Sequence, residues 1–113
     1  DDIVPALANR LLAALGKLNV EEKDLKPCEI MEDWIAYIRV CCSENEKIAE
    51  AVRRKDKSLK NCMAAVLKWS FAHQYEIPKE IIQAAGVKAG RVTLGIPGTA
   101  TVKKIITEYY LGK

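Results

Sequence analysis

The side chains able to do chemistry are few and poorly grouped. His73 is the only histidine in 113 residues, and a general base needs a nucleophile or carboxylate within hydrogen-bond reach. No spacing in the sequence supplies that partner, so His73 is expected to cap carbonyls near the end of an amphipathic helix. Glu29, Glu32 and Asp33 suit the positive start of a helix better than they suit a catalytic pair. The four cysteines, Cys28, Cys41, Cys42 and Cys62, lack the close Cys-x-x-Cys pairing of a zinc site. Two disulfides would place the chain outside the cytosol. However, Cys41 and Cys42 are adjacent in an apolar helical stretch and Cys62 sits beside Met63 and Val66, a pattern of buried thiols in a cytoplasmic protein. Gly98 and Thr99, with Lys103 and Lys104 close behind, offer free helix amides to a phosphate. Neither phosphate-loop nor dinucleotide glycine spacing occurs, and a structural turn is expected there. The residues therefore predict a non-enzymatic protein with no cofactor and no metal.

The elements that would position these residues follow from hydrophobic periodicity. Ile3, Leu7, Leu11, Leu12, Leu15 and Leu18 predict a first helix over Ile3–Leu18, with Asp2 as its cap and Pro5 tolerated in its first turn. Asn19 is the expected exit, and Val20–Pro27 reads as a charged linker. A second helix is expected from Glu29 to Cys42, with Met31, Trp34, Ile35, Ile38, Cys41 and Cys42 on one stripe. Ser43-Glu44-Asn45-Glu46 has the form of a capping box before a third helix to about Arg54, with Ile48, Ala49 and Val52 inward. Asp56 or Ser58 should cap a fourth helix to about Gln74, on which Leu59, Cys62, Met63, Val66, Leu67, Ser70 and Phe71 keep the 3.6-residue period as one stripe, with Trp69 off it and available to a second neighbour. Pro78 should open a short helix with Ile81, Ile82 and Ala85, closed by Gly86. A glycine-rich loop follows, with a short extended piece at Arg91–Leu94, then a helix from Thr99 or Thr101 carrying Val102, Ile105, Ile106, Tyr109 and Tyr110. Ile82–Val92 half-matches a helix-turn-helix, but the reading helix would have to pass through Gly90, Gly95 and Pro97, which are poor helical residues. Tyr109 and Tyr110 cannot share a face, so one is expected in the core and the other exposed for contact. The fold class is all-α, a compact bundle of about five to six helices in one domain spanning 1–113.

Half the residues are hydrophobic and 29% are charged, which excludes a disordered or collagen-like chain. No apolar run nears the roughly 20 residues that cross a bilayer, and no export-signal pattern is visible. Opening at Asp1 instead of Met is expected of a trimmed or processed chain. The formal charge of +3 hides an asymmetry: residues 1–50 carry six Lys/Arg against eleven Asp/Glu, and residues 51–113 carry twelve against four. Arg53, Arg54, Lys55, Lys57 and Lys60 crowd one helix junction. Arg91, Lys103 and Lys104 flank the glycine-rich loop and the last helix. A converged field of these cations would attract nucleic acid or an acidic partner; a field neutralised by the acidic half would be an ordinary solvated surface.

Three segments resemble the PcfK-like family, small proteins of conjugative plasmids, integrative elements and phages. They are Ile35-Ala36-Tyr37-Ile38, Lys57-Ser58-Leu59-Lys60-Asn61-Cys62 and Ile105-Ile106-Thr107-Glu108-Tyr109-Tyr110. The similarity runs from roughly Trp34 to Leu111, within a region 28–113 that follows the N-terminal helix and linker, 1–27. The resemblance implies an accessory protein of a mobile genetic element. With the basic second half it predicts action at a nucleic-acid–protein assembly. The alternative it allows is a purely protein-binding module, such as an inhibitor of a CRISPR effector nuclease. Under the first reading, reversing Arg53, Arg54 and Lys57 to Glu should weaken DNA or RNA binding and flatten its salt dependence. Unchanged binding in a gel-shift titration would count against it.

Overall fold

A computed structural model describes residues 3–112 of the chain, with side chains from Ala8 onward. Among the described residues there are six helices: α1 Ile3–Leu25, α2 Ile30–Glu44, α3 Glu46–Val52, α4 Leu59–Ala72, α5 Lys79–Ala84 and α6 Thr99–Leu111. Two short strands, β1 Tyr75–Glu76 and β2 Thr93–Leu94, pair antiparallel with Tyr75 opposite Leu94. The described residues are thus all-α apart from this ribbon. The expected Asp2 cap and the packing of Ile3 and Leu7 lie outside the described residues.

The linker expected at Val20–Pro27 is instead mostly helix, since α1 runs on to Leu25. Its polar residues make tertiary contacts that hold them in the helix. Glu21 Oε2 accepts the Leu59 amide at 2.9 Å, Arg39 donates to Asn19 Oδ1 at 2.9 Å, and Arg39 also pairs with Glu22. Pro27 still disfavours helix in the residue before it, and the chain turns at once. Lys26 (φ 50°) and Glu29 (φ 54°) adopt a backbone that L-residues rarely occupy. The expected capping box is not formed either. Ser43 Oγ donates back to the Arg39 carbonyl, and Asn45 caps α3 by accepting the Lys47 amide at 2.9 Å. Helix α4 is capped by Ser58, whose Oγ accepts the Asn61 amide, and Gly86, at φ +72°, follows α5 as expected.

The core cluster draws Ala14 and Leu18 from α1, Ile35, Ile38, Cys41 and Cys42 from α2, Ile48 and Val52 from α3, Leu59 and Cys62 from α4, and Val102, Ile106 and Tyr110 from α6. Neither α5 nor the ribbon contributes to it, and the long axis of 61 Å far exceeds the other two, 27 and 25 Å. The segment after Gly86 forms β2, not a second helix, so no helix-turn-helix is built.

Helix α4 departs most instructively from its sequence reading. Leu59, Cys62 and Val66 are fully buried, but Leu67 is 57% exposed and Phe71 76%. The single stripe is two stripes, one facing the core and one facing out. Truncating Leu59 to Ala should therefore cost about 2–5 kcal/mol, whereas Leu67→Ala should cost well under ~1 kcal/mol; urea unfolding of the two variants checks the contrast.

Candidate functional site

The outward stripe of α4 forms one wall of an apolar groove enclosing about 610 Å³. Lys60, Ala64, Leu67 and Phe71 recur at intervals of three or four residues, which places them on one face of α4 with Met63 beside them, and Gln74 lines the groove just past the helix end. The opposite side is built by Ile30, Met31 and Trp34 of α2 and by Leu25, Lys26 and Pro27 at the α1–α2 turn. Exposure persists along the groove: Leu25, Ile30, Met31 and Ile96 are each between 37% and 45% accessible, in addition to Leu67 and Phe71. The unusual backbone at Lys26 and Glu29 brackets the turn from which Pro27 lines the groove. A side chain held in such a conformation costs of order 1 kcal/mol and persists only where its surroundings enforce it.

The glycine-rich loop supplies the remaining edge. A Cβ at Gly95 would collide with the Ser70 carbonyl and the Gln74 side chain, so only glycine lets this loop approach α4 so closely. Gln74 donates to Ser70 O at 2.8 Å and accepts from Thr93 Oγ1 at 3.0 Å. The Tyr75 hydroxyl donates to the Ile96 carbonyl at 2.8 Å. These bonds fix Ile96 at the groove. The loop is thus a packing device linking the ribbon to α4.

The eight cations singled out by sequence fall on several elements. Arg54 forms a bidentate pair with Asp56 at 3.0 and 2.7 Å, and Arg91 pairs with Glu76 at 2.6 Å. Lys57 is turned inward: Nζ donates to the Tyr109 carbonyl at 2.8 Å and lies 4.8 Å from the centre of the Tyr109 ring. Among the described residues no carboxylate lies within ion-pair distance of Arg53, Lys55, Lys60, Lys103 or Lys104. Arg53 shares a recess with Arg10, Glu46 and Glu50, and Lys60 lines the apolar groove. Tyr109, a candidate for exposed contact, is instead partly buried, its hydroxyl accepting the Ser58 amide at 2.8 Å, while Tyr110 is the core member of the pair.

His73 stacks on Trp69 with ring centroids 4.6 Å apart, and its Nδ1 lies 3.0 Å from the Trp69 carbonyl. That is the carbonyl-capping arrangement of a helix end. Cys41, Cys42 and Cys62 are buried free thiols, as their apolar helical settings imply, whereas Cys28 is exposed at the α1–α2 turn. Burial pushes the Cys42 thiol up to about 11 and the Cys62 thiol up to about 12, and raises Cys41 and the Tyr110 phenol as well. The groove was missed because Leu67 and Phe71 fit the helical period; the available signal was that the apolar arc from Cys62 to Phe71 spans roughly 180° of α4, wider than one packed face needs.

Comparison with family models, curated proteins and solved structures returned no match to the chain. Iodoacetamide at neutral pH should modify Cys28 alone in the folded protein and all four cysteines in urea, read by mass spectrometry. The raised thiols also set an alkaline limit. Above pH ~9 the unfolded chain loses thiol protons that the folded chain keeps, so their stabilising contribution is whole below pH ~9 and is lost as pH climbs towards 11 and 12. The urea midpoint should accordingly fall between about pH 8 and about pH 10.5.

Proposed function

We propose that the protein is a non-enzymatic interaction module that docks a segment of another protein in the groove between α2 and α4. The observation that carries this reading is the second apolar stripe of α4, with Leu67 and Phe71 more than half exposed beside Met31 and Trp34. Leaving such a contiguous patch in water is unfavourable, and patches of this kind mark docking surfaces far more often than isolated exposed residues do. Methionine at Met31 and Met63 adds a surface that adapts to different partner shapes. An accessory role in a mobile genetic element, which the PcfK-like resemblance implies, is compatible with such a module.

A second reading keeps nucleic acid in the assembly. Arg53 and Lys55 at the α3–α4 turn and Lys103 and Lys104 on α6 are exposed cations, and phosphate would be drawn to them in a salt-dependent way. Arg54, Lys57 and Arg91 weaken this reading, since each is already engaged within the chain.

One experiment separates the two. A photo-crosslinking amino acid is placed at Leu67 or at Lys104 in the full chain and activated in cells that encode it. Discrete protein adducts from Leu67 that vanish when Phe71 is changed to Ser, with none from Lys104, are the expected result. Adducts to nucleic acid from Lys104, with nothing from Leu67, would overturn the docking reading.

A further inference from the structure

The groove's chemistry narrows what can occupy it, taking the docking reading as its basis. We infer that the occupant is an amphipathic α-helix of a partner protein that carries acidic residues beside its apolar anchors. The walls are the sides of α2 and α4, whose backbone groups are largely consumed by their own helical turns. Irregular backbone enters mainly at Lys26–Pro27 and Gly95–Ile96, where Pro27 has no amide hydrogen and the Ile96 carbonyl already accepts from Tyr75. An extended segment laid here would bury amides and carbonyls without partners, which is unfavourable for each unmet group. A helix brings its backbone already satisfied, and an apolar helix face in a groove is an established mode of recognition.

Length and charge point the same way. Along α4, from Lys60 to Phe71, the wall spans about 17 Å at 1.5 Å per residue, room for about three helical turns (roughly 11–12 residues). Ala64, between Met63 and Leu67, gives the incoming backbone a small residue to approach. The two ionisable side chains that line the groove, Lys26 and Lys60, are both cations. A carboxylate on the partner gains from them, and a lysine there would be repelled.

The test titrates the full chain into three fluorescein-labelled peptides of about 16 residues, read by anisotropy. The first is a leucine-faced helix flanked by Glu, the second has Lys for Glu, and the third is the first with proline at its centre. Binding of the Glu helix alone is expected, weakened about tenfold by Lys26→Glu with Lys60→Glu and lost in Leu67→Ser with Phe71→Ser. Equal binding of the Lys peptide overturns the acidic partner, and equal binding of the proline peptide overturns the helix; both leave docking in place. If none of the peptides binds while Leu67 still crosslinks to protein, the helical occupant is likewise overturned. If the crosslinks are absent too, docking itself falls. A dimer in sedimentation that the Leu67→Ser, Phe71→Ser pair dissolves would make a second copy the occupant and overturn the inference.

Discussion

Helix α4 starts at a turn that is gripped from two sides, and its orientation depends on that grip. From α1, Lys17 Nζ donates to the carbonyls of Arg54 and Lys57 at 2.6 and 2.9 Å, and one turn later Glu21 accepts the Leu59 amide. From α6, the Tyr109 hydroxyl accepts the Ser58 amide while the Tyr109 carbonyl receives Lys57. Backbone groups before the first helical turn would otherwise need water or a cap. Here side chains far off in sequence meet them, so the start of α4 is fixed against both α1 and α6. With its start fixed, the roll of the helix follows: Leu59, Cys62 and Val66 must go inward, and Leu67 and Phe71 are carried out.

The groove is then a consequence of supply and cover. The core is closed by α1, α2, α3 and α6 around one stripe of α4. The chain's remaining elements, the ribbon and α5, do not reach the second stripe beyond Gly95 and Ile96. An arc of roughly 180° of apolar side chains on one helix asks for two neighbours, and the fold provides one. The unmatched side is what a partner can use. The same grip takes Lys57 out of the exposed cations, because its charge, like that of Lys17, is directed at carbonyls inside the protein.

Much of this architecture is legible in the order of residues. Ser58 as one of two candidate caps, the end of α5 before Gly86, the inward Ile35, Ile38, Ile48, Val52 and Ile106, and the burial of Cys41, Cys42 and Cys62 all follow from local periodicity and capping chemistry. Elsewhere local rules gave way to long-range contacts. Val20–Leu25 is polar enough to pass for a linker, and it is helical because Glu21 and Glu22 find partners 38 and 17 residues away. Asn45 outcompetes Ser43 as a cap once α2 runs two residues past Cys42.

Composition and period thus determined an all-α chain, its helix count, the thiols of its core and the identity of most buried residues, because those depend on which side chains recur every three to four positions. Which of two apolar stripes on α4 would be covered, and which lysines would be left for a partner, was decided only in three dimensions. A helix's period shows that a face is apolar, but whether anything lies against it depends on residues such as Lys17, Glu21, Gly95 and Tyr109, whose partners are distant in the chain.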